Sequence, residues 1–436
     1  MAVNGEPIGQ QRGAAAAAAA AVKRHRWPTG IVTCSDPTTR IAYADATLEE
    51  VAMRLGSRAL SLPASGIRQV MELSRGMSGV IHLEVGEPDF ATPEHVVVAA
   101  HEAARGGFTK YTPNAGLPGI RDAVAERYAQ RLGEHVTPEW VVVTPGAVAA
   151  VASTFFALLD PGDEVLIPDP GWPNYTSAAL LAGARPVPYP MASESGGSFA
   201  IDFDELPRRI TSRTRAIVLN SPSNPTGAVF TADAQRELLA FAAHHDLFVI
   251  SDEVYEDLVY DGVHVSPARF DEDGRVVVVS GVSKSYAMTG WRIGFVIAPP
   301  AIASLVTKLQ EPLVSCASSV SQVAAEAALR GPQDCLREMV AVYRARRDLV
   351  VMALTPNHLL AGLPTGAFYA LVRIPQHVEA TGFAMSLLRE TRVAVAPGPT
   401  FGAAADGFMR ISFATETRLL QEGLRRIRAY LEKLST

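Results

Sequence analysis

Residues 276–294, VVVVSGVSKSYAMTGWRIG, begin with four consecutive valines and pass directly into a polar turn that carries a lysine. An uninterrupted β-branched run predicts a strand buried on both faces, which is typical of parallel sheets. Similar apolar runs lie at residues 140–143, 164–167, 216–219, 247–250 and 293–297. Segments with helical spacing, such as residues 147–159 and 232–244, separate several of these runs. The sequence therefore predicts an α/β fold with a mostly parallel sheet and helices on both faces.

The sequence changes character after residue 310. Long helical patterns at residues 318–329 and 339–354 are followed by shorter strand-like and helical stretches at residues 368–373, 383–392, 393–396, 407–413 and 416–434. This succession of long helices and short strands indicates a second, smaller α+β domain. We expect residues 106–310 to form the large domain, and residues 56–105 to join residues 311–436 in the small one.

Residues 1–55 differ from the rest. A run of eight alanines at residues 14–21 precedes the basic cluster at residues 23–26, which is the reverse of the order in a secretory signal. A low-complexity tail and an organelle transit peptide are both compatible with this composition. The predicted compartment is the cytoplasm, with a plastid or mitochondrion as the alternative if the extension is a transit peptide.

Composition excludes several classes of function. The formal net charge of −6 gives nucleic-acid binding no bulk electrostatic support. No apolar run approaches the roughly 18 residues that a membrane-spanning helix needs. The three cysteines, and His82, His95 and His101, have no metal-ligand spacing. We therefore expect no metal, no nucleic acid and no membrane partner.

Polar side chains cluster where the predicted strands end. Residues 144–148 (TPGAV), 220–227 (NSPSNPTG), 251–255 (SDEVY) and 280–284 (SGVSK) each follow an apolar run. Ligands of open α/β sheets bind beyond the carboxyl ends of the strands. These loops are therefore expected to surround one crevice.

The inventory of these loops suits an anionic, heteroaromatic aldehyde. The amides of Ala147 and Val148 at a helix start, together with Arg292, can hold a phosphate. Asp252 can keep a ring nitrogen protonated, because such a pair at ~4 Å and an effective dielectric of ~20 is worth ~4 kcal/mol. The protonated ring is then an electron sink. Lys284 is the amine expected to form a Schiff base and shuttle protons. Three further side chains can contact the ring, namely Asn224, Tyr255 and Trp172.

From about residue 56 to its end, the chain resembles the class I/II aminotransferases, the pyridoxal-phosphate enzymes of fold type I. The matching segments are VGEPDF (85–90), KYTP (110–113), PGWPNY (170–175), NSPSNPTG (220–227), SDEVY (251–255), residues 281–294 and FMRISFA (408–414). In motif spelling they are most similar to the prokaryotic-type aspartate and aromatic aminotransferases.

The resemblance implies a role for each matched residue. Lys284 would form the internal aldimine with pyridoxal 5'-phosphate, Asp252 would pair with the ring nitrogen, and Tyr255 would assist at the phenolic oxygen. The other implied cofactor contacts are Ala147, Val148, Trp172, Asn224, Ser283, Arg292 and, from the neighbouring subunit of a homodimer, Tyr111. The implied substrate contacts are Gly86, Trp172, Asn224 and Arg410, with Arg410 on the α-carboxylate.

The implied reaction is a ping-pong transfer of an amino group between an L-amino acid and a 2-oxo acid. An aromatic or aspartate-like donor and 2-oxoglutarate are expected, with alanine and acetylated diamino acids as open alternatives for the donor. Ile67, Leu117 and Val314 are candidates to line an aromatic-accepting pocket. Another fold type I enzyme, such as a carbon–sulfur lyase or an aminocyclopropane-carboxylate synthase, would use the same cofactor residues. A cofactor-sensing regulator is disfavoured because residues 1–55 show no helix-turn-helix. Ala147–Ala149 depart from the family, which often has polar side chains in this turn, so phosphate contacts there must come from the backbone.

Overall fold

A computed structural model describes residues 56–193, 198–356 and 358–435. The predicted extension, residues 1–55, lies outside them, so its targeting role stays a prediction. Contacts divide the chain at residue 61. Before that point lies a short helix, Ser57–Leu60, and the rest of the description concerns residues 62–435.

An eight-stranded sheet forms the centre of the molecule. Its strands are β2 (Val141–Thr144), β3 (Glu164–Asp169), β4 (Arg185–Ser193), β5 (Phe199–Ile201), β6 (Thr214–Asn220), β7 (Phe248–Asp252), β8 (Val276–Gly281) and β9 (Gly294–Ile297). Their spatial order is β2-β9-β8-β7-β6-β3-β4-β5. Strands β9 and β5 run antiparallel to the other six strands of the sheet. The predicted mostly parallel sheet is confirmed.

Both faces of this sheet are buried, as the valine run requires. Val276 and Val278 pack with Val249 in one apolar cluster, whereas Val277 and Val279 belong to a cluster on the opposite face. Successive residues of a strand point to opposite faces, so a strand covered on both sides must be apolar throughout. Helices supply the cover on each side.

The helices in the described part of the chain are α1 (Gly66–Ser74), α2 (Glu94–Arg105), α3 (Pro118–Leu132), α4 (Ala147–Leu158), α5 (Asn174–Ala182), α6 (Ala232–His244), α7 (Pro300–Val314), α8 (Ser319–Arg330), α9 (Asp334–Leu354), α10 (Ala380–Thr391) and α11 (Thr417–Ser435). The apolar residues of α4, α5 and α7 join the cluster that contains Val277, while those of α3, α6 and α8 join the cluster that contains Val276. No helix among the described residues has the length and apolarity needed to cross a membrane.

A third apolar cluster holds the smaller α+β part together. Its strands are β1 (Ile81–His82), β10 (Tyr369–Arg373), β11 (Val393–Ala394), β12 (Ala396–Pro397) and β13 (Phe408–Ser412). Strand β13 pairs with β10 and β12, and β1 pairs with β11. Residues of β1 and of α9 to α11 share this cluster, so an early segment of the chain packs with late ones. Helix α7 crosses residue 310, and the predicted domain boundaries remain predictions.

Candidate active site

A cleft of about 530 Å³ opens at the carboxyl ends of the central strands. Eleven of the predicted site residues line it: Gly86, Ala147, Val148, Trp172, Asn224, Asp252, Tyr255, Ser283, Lys284, Arg292 and Arg410. Tyr111 does not line the cleft, and it is 89% exposed. The loops that follow β2, β6, β7 and β8 therefore meet at one place, as parallel strands require.

The turn between β2 and α4 provides an anion cradle. Gly146, which precedes the helix, has φ +87°, and a Cβ there would lie 2.3 Å from Nη2 of Arg292. A Cβ on Gly294 would lie 2.4 Å from the Ala147 nitrogen, so the neighbouring strand β9 also needs a glycine. The first amides of a helix have no intrahelical partner. Ala147 and Val148 can therefore offer theirs to an anion, with the helix dipole aiding them.

Arg292 is oriented toward this turn by the backbone. Its φ is +56°, in the left-handed region. Nη1 donates to the Thr289 carbonyl oxygen at 2.9 Å, and Nη2 to the Pro145 carbonyl oxygen at 3.4 Å. These acceptors are uncharged, so they orient the guanidinium without neutralising it.

Asp252, the last residue of β7, is a buried carboxylate that accepts two hydrogen bonds. The Tyr175 hydroxyl donates to Oδ2 at 2.6 Å and the Val254 amide to Oδ1 at 3.2 Å. Burial raises the pKa of Asp252 to about 6, while the Tyr175 hydrogen bond opposes that rise. Near neutral pH the carboxylate is ionised and can pair with a protonated ring nitrogen.

Lys284 lies just beyond β8 and faces the same cleft. Its Nζ donates to the Gly86 carbonyl oxygen at 2.6 Å. Burial lowers the pKa of Lys284 to about 8. A substantial fraction of the amine is therefore neutral near pH 7.5, which nucleophilic attack on an aldehyde requires.

Tyr255 and Tyr369 form a pair of phenols beside the lysine. Their hydroxyl oxygens are 2.8 Å apart, and both side chains are buried. A Cβ on Gly86 would lie 1.8 Å from the Tyr369 hydroxyl, so only glycine fits where the chain passes this pair.

Arg410 is a buried cation that lines the cleft. It is 2% exposed, and its Nη1 donates to Oδ1 of Asn224 at 3.0 Å. Nη2 donates to the Glu84 carbonyl oxygen, and the guanidinium carbon lies 4.3 Å from the centre of the Tyr369 ring. Burial lowers the pKa of Arg410. Because both acceptors are neutral oxygens, this guanidinium is suited to bind a carboxylate.

Sequence reasoning missed several residues of the cleft. Tyr175 and Tyr369 were not assigned roles, although both touch predicted site residues; their patterns match those of ordinary core aromatics. Ile67 lines the cleft as expected, whereas Leu117 and Val314 do not. Three residues on or next to α1 also line it: Ser65, Arg68 and Met71.

The fold and the cleft together define a pyridoxal-phosphate-dependent enzyme. Residues 78–427 match the family described as aminotransferase class I and II, and the chain belongs to that family. It is 40% identical over 387 residues to the aspartate aminotransferase of Pyrococcus abyssi, and 38% identical over 387 residues to aromatic-amino-acid aminotransferase 2 of Thermococcus litoralis. Each alignment covers 87% of this chain and 99% of the relative.

Solved structures agree with these relatives. The aspartate aminotransferase of Thermus thermophilus, determined with maleate, superposes with a TM-score of 0.81 at 38% identity. The match covers 87% of this chain and all of the other. The chain is thus a pyridoxal-phosphate-dependent aminotransferase of fold type I.

The residues present fit this cofactor. The turn at Gly146 leaves room and amides for a phosphate beside Arg292, and a side chain there would fill that room. The buried carboxylate of Asp252 suits a protonated pyridine nitrogen. The amine of Lys284, whose pKa lies well below that of an exposed lysine, suits an aldehyde. Three chemically different groups in one cleft thus match the three functional groups of pyridoxal phosphate.

Proposed function

We propose that this aminotransferase moves the amino group of an aromatic or aspartate-like L-amino acid to 2-oxoglutarate in a ping-pong reaction, with the cofactor attached covalently through Lys284. The observation that supports this most directly is the convergence of Lys284, Asp252 and Arg410 on one cleft. The names of the relatives support both donor classes, since aspartate and aromatic aminotransferases occur among them at similar identity.

The proposed roles of the cleft residues rest on their positions in the cleft lining. Ala147, Val148, Ser283 and Arg292 would hold the phosphate, and Trp172 would contact the ring. Bound pyridoxal phosphate supplies an aldehyde that takes up the amino group and a protonated ring that withdraws electrons from the α-carbon.

Proton transfer falls to Lys284. Its Nζ, with a pKa of about 8, is the group of the cleft that would take the α-proton of the donor and hold it for return. Asp252, held by Tyr175 and the Val254 amide, would keep the ring nitrogen of the bound cofactor protonated. Tyr255 and Asn224 would bind the phenolic oxygen of the ring.

Substrate orientation falls to Arg410. Its fixed guanidinium binds the α-carboxylate in a bidentate manner, assisted by Asn224 and by the backbone at Gly86. Every amino acid and 2-oxo acid has this carboxylate. Arg410 therefore serves all substrates alike and does not choose among side chains.

We also propose that the active unit is a homodimer in which Tyr111 completes the phosphate site of the neighbouring subunit. Tyr111 is almost fully exposed within one chain, and Phe108 near it is 42% exposed. An exposed tyrosine next to an exposed apolar side chain is typical of an interface.

Covalent labelling tests the proposal without measuring turnover. Borohydride treatment of the holoenzyme, followed by peptide mass analysis, should place the cofactor on Lys284. Lys284→Ala should carry no label, whereas Lys308→Ala, which changes an exposed lysine on α7, should be labelled like the wild type. A label on another lysine would refute the assignment.

A half-reaction separates transamination from elimination. An amino acid added without any oxo acid should convert the cofactor once, with no further release of oxo acid. Continuous release from one donor would instead indicate a lyase.

The dimer proposal is tested by Tyr111→Ala. This variant should retain the cofactor less tightly, while Lys284 should still be labelled at saturating cofactor.

A further inference from the structure

Two aromatic rings contact the guanidinium of Arg410. Its central carbon lies 4.3 Å from the centre of the Tyr369 ring and 4.7 Å from the centre of the Phe401 ring. Its Nε is buried and has no hydrogen-bond partner in the described part of the chain. A planar guanidinium stacks on aromatic faces, and the attraction is larger where water is excluded. The two rings therefore add to the restraint that hydrogen bonds supply at Nη1 and Nη2.

Phe401 belongs to a short segment between β12 and β13. One turn of 3₁₀-helix, Gly398–Phe401, ends at this residue. Its side chain is 2% exposed and forms a small apolar cluster with Ala396 and Ala405, against which Ile67 of helix α1 packs. Because interiors are closely packed, the position of the ring is set by side chains from two separate parts of the chain.

The backbone of the same segment is tied to the loop that carries Trp172. The Gly171 amide donates to the Phe401 carbonyl oxygen at 2.8 Å. Further along the segment, the Ala404 amide donates to Oδ1 of Asp169 at 3.0 Å. Trp172 directly follows Gly171 and lines the cleft. Phe401 therefore joins the arginine proposed for the α-carboxylate to the loop proposed to contact the cofactor ring.

We propose that Phe401 is a positioning residue of the aminotransferase reaction. Its ring keeps the guanidinium of Arg410 in the orientation that receives a substrate α-carboxylate, and its carbonyl oxygen keeps the Trp172 loop in place. This inference rests on the proposed function. Phe401 is not among the residues that line the cleft, so it acts through Arg410 rather than on the substrate.

The expected effect follows from the order that the ring imposes. A guanidinium that is free to turn must be ordered when the carboxylate binds, so loss of the ring should weaken binding although Arg410 itself is intact. Because all donors and acceptors have an α-carboxylate, this loss should be common to all of them.

The test compares removal of this ring with removal of another buried ring. Phe401→Leu removes the ring and keeps an apolar side chain, whereas Phe401→Tyr keeps the ring. The control, Phe383→Leu, changes a phenylalanine of α10 that is also 2% exposed and whose ring packs edge-on against Tyr430. In each holoenzyme, half-reactions with L-aspartate and L-phenylalanine give KM and the rate at saturation. Calorimetry gives the Kd of maleate and of 3-phenylpropionate, two unreactive carboxylates, and urea denaturation gives the stability of each variant.

Phe401→Leu should raise the KM of each donor that the wild type converts by about 5- to 20-fold, and the Kd of each bound carboxylate by a similar factor, as expected when a stacking contact to a desolvated cation is lost. The rate at saturation should change far less, because the contact serves bound and reacting substrate alike. Phe401→Tyr should keep most of the affinity. Phe383→Leu should lower the free energy of unfolding but keep wild-type KM and Kd values. In an Arg410→Lys background, Phe401→Leu should change Kd little further, because lysine has no planar group to stack on the ring.

Wild-type KM and Kd values in a folded Phe401→Leu, a loss for only one of two accepted donors, or an equal loss in Phe383→Leu would overturn the inference. So would an effect of Phe401→Leu that is undiminished in the Arg410→Lys background. Phe401→Met, which keeps an apolar side chain without a ring, is measured in parallel and takes the place of Phe401→Leu if that variant does not fold. Failure of the proposed function itself would be seen separately, as a wild type that converts no amino acid or carries no cofactor on Lys284.

Discussion

Replacing Asp252 with asparagine should stabilise the cofactor-free protein while abolishing its function. The carboxylate is 2% exposed and accepts from the Tyr175 hydroxyl and the Val254 amide. Asparagine can keep both contacts, because the Tyr175 hydroxyl can turn to accept from Nδ2 while Oδ1 still accepts from the Val254 amide. The substitution therefore removes a buried charge and little else.

The pKa of Asp252 sets the size and the sign of the effect. Burial raises it from 3.8 to about 6 in the folded protein, so between these values the folded state holds a proton that the unfolded chain has lost. The free energy of unfolding therefore falls as pH rises through this window and stays low above it. About two pKa units at 1.36 kcal/mol each give a cost of roughly 3 kcal/mol above pH 6. Asp252→Asn should recover about 1–3 kcal/mol of this at pH 8, and almost none near pH 4.

Urea denaturation at several pH values measures the difference in the free energy of unfolding between cofactor-free wild type and Asp252→Asn. Asp261→Asn is a control of opposite sign, because a hydrogen bond from Arg347 lowers the pKa of the half-exposed Asp261. That variant should gain no stability at pH 8. A less stable Asp252→Asn, or a gain that does not change with pH, would refute the reasoning.

Three further predictions concern the cleft. Covalent attachment of pyridoxal phosphate to cofactor-free enzyme, followed by absorbance, should accelerate with pH up to a midpoint near 8, since Lys284 must lose its proton first; a midpoint above 10 would contradict a lowered pKa. Gly86→Ala should reduce activity at least about tenfold because its Cβ would collide with the Tyr369 hydroxyl, whereas Gly290→Ala, where a Cβ meets no atom within 4 Å, should behave like wild type in the same assay. Arg410→Lys should raise KM for aspartate and phenylalanine by similar factors, and a strong preference between them would argue against an α-carboxylate role.

Much of the central sheet could be predicted from periodicity alone. Runs such as Val276–Val279 are apolar at every position because both sheet faces are covered, and this makes them visible without any alignment. Polar residues that interrupt such runs at strand ends, such as Asp252, then indicate where the cleft lies. The family resemblance added the roles of residues that pattern alone leaves ambiguous.

Strand β4 could not be predicted in this way because it contains Pro186, Pro188 and Pro190. Prolines normally exclude a strand, since they donate no hydrogen bond. Here they occupy alternate positions, and the amide of Arg185, directly before the first of them, donates to the Asp163 carbonyl oxygen at 2.7 Å on the β3 side. The prolines therefore face the other edge, which β5 covers only from Met191 onward.

Tyr175 and Tyr369 were missed for a different reason. Each is buried in an apolar setting, and sequence patterns describe burial but not the atom that a hydroxyl reaches. Tyr175 reaches Asp252 across 77 positions of sequence, and Tyr369 reaches Tyr255 across 114. Such contacts depend on how separate segments fold together.

Helix α1 reaches the cleft from a part of the chain separate from the loops proposed for catalysis. The groups proposed for proton transfer and phosphate binding come from loops of the large sheet, whereas Ile67, Arg68 and Met71 belong to a single short helix near the start of the described residues. Randomising those three codons should yield enzymes with altered amino-acid preference that still bind pyridoxal phosphate. After a gene duplication, a few substitutions in this helix would suffice to produce enzymes for different amino acids.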